Sequence, residues 1–183
     1  GNCRSCVVEI KGERTLAASC IRKPFNGMEV ITNNDKVEKS QKLVLELLLS
    51  DQPVKEKSHN KNSHFWKILE TKKISKTRFP KKDTKTIPEL DKSHPAMTVA
   101  LDSCIQCGLC IRACRDVQVN DVLGMAGRGT NSYPVFDFDD LMGTSSCVGC
   151  GECVQACPTG ALMETALLDN NNIQTIFPDK HVK

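Results

Sequence analysis

Cysteine is the residue type whose number and spacing in this chain point most directly to chemistry. The 183 residues contain 11 cysteines in three groups, with none between Cys20 and Cys104. The groups are Cys3, Cys6 and Cys20; Cys104, Cys107, Cys110 and Cys114; and Cys147, Cys150, Cys153 and Cys157. A disulfide scaffold would be shorter, would tend to an even count and would rarely repeat one close spacing. We therefore expect metal or cluster ligation in a reducing compartment.

The second and third groups form an internal repeat, because Cys104–Cys114 and Cys147–Cys157 both have the spacing C-x2-C-x2-C-x3-C. Three cysteines spaced in this way wrap one corner of an iron-sulfur cube, and the fourth ligand must come from elsewhere. In two-cluster proteins the last cysteine of each run ligates the other cluster. The sequence thus predicts two 4Fe-4S clusters, one held by Cys104, Cys107, Cys110 and Cys157 and the other by Cys147, Cys150, Cys153 and Cys114.

Residues around these cysteines support the interpretation. Gly108, Gly149 and Gly151 suit loops whose backbone N–H groups turn towards sulfur. Pro158 follows the last cysteine of the third group, as in ferredoxins, whereas Arg115 stands at the equivalent place after the second group. That departure leaves the ligands intact and affects only the expected shape of the loop.

Zinc is the main alternative metal, because structural zinc sites with four thiolates also use the C-x2-C spacing. A zinc ribbon, however, uses pairs of cysteines and needs neither a third cysteine nor a fourth three residues later. No phosphate loop, dinucleotide fingerprint or Ser-His-Asp arrangement accompanies the cysteines. The chain is therefore expected to carry electrons and to have no catalytic residue of its own.

The N-terminal group has the spacing C-x2-C-x13-C and supplies three of the four ligands that a 2Fe-2S cluster requires. Plant-type 2Fe-2S proteins place one more cysteine upstream of such a close pair. We expect Cys3, Cys6 and Cys20 to ligate a 2Fe-2S cluster whose fourth ligand precedes Gly1. The alternative is that Cys3 and Cys6 form a reduced pair without metal.

Secondary-structure signals near the N-terminus predict a small sheet and one helix. Residues 6–10 and 15–20 are predicted to form two strands joined by a glycine-containing turn, and residues 28–32 a further short strand. Apolar spacing over residues 36–49 predicts a helix that packs on this sheet. A second, short helix is expected near residues 63–69, with Trp66 and its neighbour Phe65 anchoring it to a domain.

Charge is distributed unevenly although the net charge is only +3. Residues 51–92 hold 12 Lys and Arg against 6 Asp and Glu, which predicts a solvated linker or, alternatively, a docking surface for an acidic partner. Residues 93–183 hold 5 basic against 10 acidic side chains, an excess that argues against nucleic-acid binding. The longest apolar run, residues 43–49, contains Glu46 and is too short for a membrane anchor. No signal-peptide pattern is present, so a cytoplasmic location is expected.

Several blocks of the chain resemble one known family, the alpha subunit of cytoplasmic NAD-dependent formate dehydrogenases that contain molybdenum or tungsten. They are GNCRSCVVEIKGERTLAASCIRKP, LVLELLLSDQP, SHPAMTVALDSCIQCGLCIRACRDVQVNDVLGMAGRG, and VFDFDDLMG followed by CVGCGECVQACPTGALM. The last two are the most specific, because they include residues that are not ligands and that a generic ferredoxin would not share.

The resemblance implies an α+β chain in four parts. Residues 1–53 would be a truncated, plant-type β-grasp domain for the 2Fe-2S cluster, and residues 54–92 a basic linker. Residues 93–164 would be a bacterial-type, two-cluster ferredoxin domain, and residues 165–183 a connector to a molybdopterin catalytic domain.

The resemblance also implies further cofactors and a partner. The catalytic domain would hold a bis-pterin guanine dinucleotide with Mo or W, where formate is oxidised, and electrons would pass to a flavin- and iron-sulfur-containing subunit that uses FMN to reduce NAD. Related subunits of complex I and iron-only hydrogenases often have a histidine-plus-three-cysteine cluster after the helix; here Asp51–Pro53 is followed by no cysteine until Cys104. The alternatives are such a relative, or a ferredoxin-like module that shuttles electrons between separate enzymes.

Overall fold

The chain folds into two compact units. The computed structural model describes residues 1–81, 88–169 and 172–173. Gly1–Asp51 and Ile68–Lys82 form the first unit, and Gln52–Lys67 and Asp83–Lys183 form the second. None of the helices in the described ranges is long and apolar enough to cross a membrane.

The first unit contains a three-stranded antiparallel sheet with β1 (Val7–Ile10) in the centre. β2 (Ala17–Ala18) and β3 (Val30–Ile31) pair with its two sides. The three predicted strands are confirmed, but each is shorter than predicted. β2 ends early because Ser19–Ile21 turns into one 3-10 turn, whose first N–H donates to the Cys6 carbonyl at 3.2 Å.

Helix α1 (Asp35–Ser50) packs on this sheet, as predicted. The helix begins after Asn34, whose Oδ1 accepts the Val37 N–H at 2.9 Å and so satisfies one of the free donors of the first turn. Val37 and Leu45 are buried on the inner side, and Gln41 donates to the Val7 carbonyl at 3.1 Å. Asn34 also donates to Glu9 Oε2 at 2.6 Å, so one side chain both caps the helix and bonds it to β1.

Helix α2 (His64–Thr71) confirms the short helix predicted near residues 63–69, and Trp66 is buried as predicted. The Trp66 indole donates to Ser58 Oγ at 3.1 Å, and its ring meets that of Phe65 edge-on at 5.6 Å. The Phe65 N–H donates to the Pro158 carbonyl at 2.9 Å within the second unit. The segment interpreted from its lysines as a linker therefore contributes buried aromatic side chains to a core.

An ion pair joins Arg78, in the second segment of the first unit, to helix α1. Glu46 on α1 is buried, and Arg78 donates to its two carboxylate oxygens at 2.6 and 3.2 Å. Because Arg78 satisfies this carboxylate, Glu46 is tolerated in a position that otherwise suits an apolar residue.

The second unit contains antiparallel pairs of strands. β4 (Met97–Val99) pairs antiparallel with β7 (Leu162–Glu164). β5 (Leu123–Ala126) and β6 (Tyr133–Phe136), which lie between β4 and β7 in the sequence, form a hairpin. Two short helices, α3 (Leu109–Arg112) and α4 (Glu152–Ala156), pack on each other, and β8 (Leu168–Asp169) pairs with β9 (Asn172–Ile173). The core between these elements consists of Met97, Val99, Cys114, Val122, Leu123, Phe136, Met142, Cys153 and Leu162.

We predict that Asn34→Ala destabilises the first unit by about 1 to 2 kcal/mol, because the helix loses its cap and Glu9 loses a donor. The measurement is the free energy of urea unfolding. Far-UV circular dichroism monitors the transition, because α1 is the longest of the described helices. Lys39→Ala on the exposed side of α1 is the control and should change this free energy by less than about 0.5 kcal/mol. Equal effects of the two substitutions would contradict the role of Asn34.

Candidate metal centres

The first candidate centre is a cavity in the second unit. Four cysteines line it: Cys104, Cys107, Cys110 and Cys157. The first three belong to the loop before and inside α3, and the fourth follows α4. The pairing of β4 with β7 brings these distant segments together, and it continues into a bond from the Ala100 N–H to the Ala161 carbonyl at 2.7 Å.

Cys110 is a residue of this first cavity whose thiol has a strongly shifted pKa. Burial raises the pKa of its thiol strongly, and the neighbouring sulfurs of Cys104, Cys157 and Cys107 raise it further. Sulfurs from both halves of the repeat therefore lie near enough to Cys110 to disfavour another negative charge. A thiolate at this position requires a compensating positive charge, such as iron.

The second candidate centre is the counterpart of the first. Its cavity is lined by Cys114, Cys147, Cys150 and Cys153. Burial raises the pKa of Cys153 to about 12, with further contributions from the sulfurs of Cys147, Cys150 and Cys114. The packing of α3 against α4 carries Cys114 to the loop of the third group.

In both centres the thiols surround a cavity instead of converging on one point. Among the residues that the structure describes, no three His, Cys, Asp or Glu side chains are grouped as they would be around a single metal ion. Most of the remaining wall residues are apolar, including Leu101 and Leu162 in the first cavity and Val122 and Phe136 in the second. Four thiols around an apolar cavity fit the ligand chemistry of an iron-sulfur cluster.

The cysteine loops of the two centres have equivalent backbones. Gln106 and Gly149 occupy the same place in the repeat, both with positive φ (54° and 71°), and each donates its N–H to the first sulfur of its loop at 3.4 Å. Gly108 and Gly151 also have positive φ and precede α3 and α4. Gln106 is not among the residues predicted from the sequence, although its alignment with Gly149 in the repeat could have revealed it.

Gln106 adopts a conformation that favours glycine, and its side chain offers a reason. The amide nitrogen of Gln106 donates to the Ser132 carbonyl at 2.6 Å, which fixes the loop to the segment before β6. Two other polar side chains near sulfur were not singled out from the sequence. Asn120 Nδ2 lies 4.0 Å from Cys150 Sγ, and Thr159 Oγ1 lies 3.7 Å from Cys157 Sγ.

The N-terminal cysteines lie around the edge of the first unit's sheet. The pairing of β1 with β2 brings Cys6 next to Cys20, while Cys3 lies in the loop before β1 with its sulfur 3.4 Å from Ser5 Oγ. Burial would raise the pKa of Cys6, but hydrogen bonds from the Cys20 and Ser19 backbones and side chains outweigh it and lower this pKa. Hydrogen bonds that favour the thiolate suit a metal ligand.

Two family models match parts of this chain. Residues 1–35 match the family model described as 2Fe-2S iron-sulfur cluster binding domain, and residues 103–161 match the 4Fe-4S dicluster domain. The chain thus carries a 2Fe-2S-binding domain followed by a 4Fe-4S dicluster domain, which confirms the two predicted classes of cofactor.

Three curated proteins are similar to most of this chain. The chain is 35% identical over 168 residues to the NADP-reducing hydrogenase subunit HndD of Solidesulfovibrio fructosivorans, covering 89% of this chain and 28% of that protein. It is 29% identical over 142 residues to the NADH-ubiquinone oxidoreductase 75 kDa subunit of Acanthamoeba castellanii (78% and 21%), and 31% identical over 179 residues to the putative formate dehydrogenase YrhE of Bacillus subtilis (94% and 18%). The chain therefore spans less than a third of the length of each of these relatives, all of which are named as oxidoreductases.

A solved structure has the same fold. The chain aligns with one chain of the NAD+-reducing NiFe-hydrogenase, crystallised in its H2-reduced state, with a TM-score of 0.78 and 24% identity. The alignment covers 93% of this chain and 72% of the hydrogenase chain.

We predict that in the cluster-free chain an alkylating reagent at pH 8 modifies Cys150 before Cys153, although both line the second cavity. Cys150 is exposed, whereas Cys153 is buried and, with a pKa of about 12, is ionised only on the order of 0.01% at pH 8. Peptide mass spectrometry after timed labelling gives both rates. The rate at Cys153 should rise about tenfold for each pH unit up to its pKa. Equal rates at pH 8 would show that the thiols do not keep these positions without metal.

Proposed function

We propose that this chain is the iron-sulfur electron relay of an alpha subunit of a cytoplasmic, NAD-dependent formate dehydrogenase. Electrons from formate oxidation at a pterin-metal site outside these residues would pass through it to a flavin- and iron-sulfur-containing subunit that reduces NAD. The observation that supports an electron-relay function is the pair of cavities. Each is lined by four cysteines, which come from both halves of the repeat.

In this proposal each cavity holds one 4Fe-4S cluster. The ligands of the first are Cys104, Cys107, Cys110 and Cys157, and those of the second are Cys147, Cys150, Cys153 and Cys114. A 4Fe-4S cluster accepts and releases one electron at a time when bound. The chain supplies burial by apolar walls and N–H donors to sulfur, the two factors through which a protein adjusts the reduction potential.

A 2Fe-2S cluster belongs at the N-terminal group. Cys3, Cys6 and Cys20 would supply three ligands, and we propose that the fourth is a cysteine upstream of Gly1. The small sheet and helix α1 support a truncated β-grasp domain over residues 1–53. The hydrogen bonds that lower the pKa of Cys6 favour the thiolate that such a cluster requires.

Formate as substrate rests on sequence blocks and on one relative. The cysteine-rich blocks resemble the formate dehydrogenase family, and the putative formate dehydrogenase YrhE aligns over 94% of the chain. Residues 21–103 contain no cysteine, which disfavours a histidine-plus-cysteine cluster in this part. In the full-length protein we expect formate-dependent reduction of NAD, with molybdenum or tungsten bound, at a cytoplasmic location.

A hydrogenase subunit is the second candidate. The specific observation in its favour is the 35% identity to the NADP-reducing hydrogenase subunit, which exceeds the 31% identity to YrhE. Hydrogen-dependent reduction of NAD(P) by the full-length protein, without activity towards formate, would select this candidate. It would leave the relay itself unchanged.

We predict that the two 4Fe-4S clusters contain about eight iron atoms, in addition to the two of the 2Fe-2S cluster. Serine substitutions test the crossed ligands. Cys157→Ser should alter the same electron paramagnetic resonance signal of the reduced protein as Cys104→Ser, and Cys114→Ser should alter the signal of the other 4Fe-4S cluster. If Cys114→Ser and Cys104→Ser altered the same signal, each run would hold its own cluster and the crossing would be wrong. A colourless protein with stoichiometric zinc after anaerobic purification would contradict the relay.

A further inference from the structure

The loop after α3 has a backbone that requires explanation. Val119 and Asp121 both have positive φ, 58° and 50°, although neither is glycine. For a β-branched residue such as valine this conformation is a clear outlier, and it persists only where surrounding contacts impose it. Asn120 stands between the two strained residues and is half-buried, whereas both neighbours are exposed. With this backbone conformation, the side chain of Asn120 is less exposed than those of its two neighbours.

Asn120 turns into the second cavity. Among the described residues that line this cavity, it contributes the one polar side chain apart from the cysteines. Its Nδ2 donates towards Cys150 Sγ at 4.0 Å, and its backbone N–H donates to the Cys114 carbonyl at 3.0 Å. Asn120 thus contacts two of the four residues assigned to the second cluster.

An ion pair spans this loop. Arg115 Nε donates to Asp121 Oδ1 at 2.6 Å and so joins the loop to the π-helical turn Ala113–Val117 that precedes it. Arg115 is also the residue that replaces the proline expected after the second group of cysteines, and proline has no side chain able to make this bond. The departure from the ferredoxin pattern thus has a structural consequence at Asn120.

The first cavity has a different polar contact. Thr159, buried at 2% exposure, places its hydroxyl 3.7 Å from Cys157 Sγ. The side-chain amide of Gln106, which also lines this cavity, is bonded to the Ser132 carbonyl. Each cavity therefore has its own polar side chain next to one sulfur, Asn120 in the second and Thr159 in the first.

We propose that Asn120 sets the reduction potential of the second cluster and that the Arg115–Asp121 pair acts by holding Asn120 in place. This inference rests on the proposed iron-sulfur relay. An N–H donor at a ligand sulfur stabilises the extra negative charge of the reduced state, so it raises the reduction potential. Asn120 touches a ligand sulfur directly, while Arg115 is a positioning residue.

The test is a reductive titration of the full-length protein, with dithionite as the electron donor and electron paramagnetic resonance following both clusters. Asn120→Ala is expected to lower the potential of the second cluster and leave that of the first unchanged. Thr159→Val is the matched control, because it removes the corresponding donor from the first cavity and should lower only the potential of the first cluster. Asn120→Asp, which also adds a negative charge, should lower the second potential more than Asn120→Ala.

A double-substitution cycle tests the positioning role of Arg115. Asp121→Asn breaks the pair with Arg115 and removes a negative charge, which by itself would raise the second potential. It should nevertheless lower the second potential, and adding it to Asn120→Ala should lower that potential no further, because the pair acts through Asn120. Asn120→Ala variants with unchanged potentials, equal shifts of both clusters, or full additivity with Asp121→Asn would overturn the proposal.

The proposal stays testable if Asn120→Ala fails to retain its cluster. Arg115→Gln and Asp121→Asn change exposed side chains outside the cavity lining and still loosen the loop. A lowered second potential in both variants would support the proposal, and unchanged potentials would overturn it. A wild-type protein without iron-sulfur signals would instead refute the proposed function.

Discussion

Closure of the second unit by the β4–β7 pair is the interaction on which the candidate centres depend. The three cysteines of each loop are placed by local spacing, but the fourth must come from more than 30 residues away in the chain. Main-chain bonds between Met97–Val99 and Leu162–Glu164 bring the last cysteine of the third group to the first loop. The packing of α3 on α4 does the same for Cys114. Without these contacts each loop would offer three thiols and no complete site.

The features predicted best from the sequence are those that a repeating pattern of nearby residues determines. Helix α1 and the small sheet follow from apolar periodicity and turn residues, and the two sets of four cysteines follow from spacing and the rule of crossed ligands. The loop around Asn120 could not be predicted, because it depends on the bonds from Arg115 to Asp121 and from Asn120 to Cys150. It also depends on positive φ values that valine and aspartate rarely adopt. Gln106 is a similar case, since its conformation depends on a bond to Ser132 far along the chain.

The interpretation of residues 54–92 as a basic linker was based on charge, and charge alone does not report what the few apolar residues do. Trp66, Phe65 and Leu69 are buried, and the boundary between the two compact units falls inside α2. A lysine-rich segment can therefore still contribute side chains to a core. The net charge of the segment conceals this, whereas the adjacent aromatic residues Phe65 and Trp66 indicate it.

Two cysteines of the second unit, Cys114 and Cys153, belong to its hydrophobic core, and three more, Cys110, Cys147 and Cys157, pack against that core. Several of the proposed sulfur ligands are therefore core residues, so the inorganic clusters would occupy volume that side chains fill in an ordinary domain. Binding of iron and sulfide would then add to the free energy of folding, so the loaded form would be more stable than the cluster-free form. Cellular supply of clusters would consequently influence the stability of this unit as well as its activity.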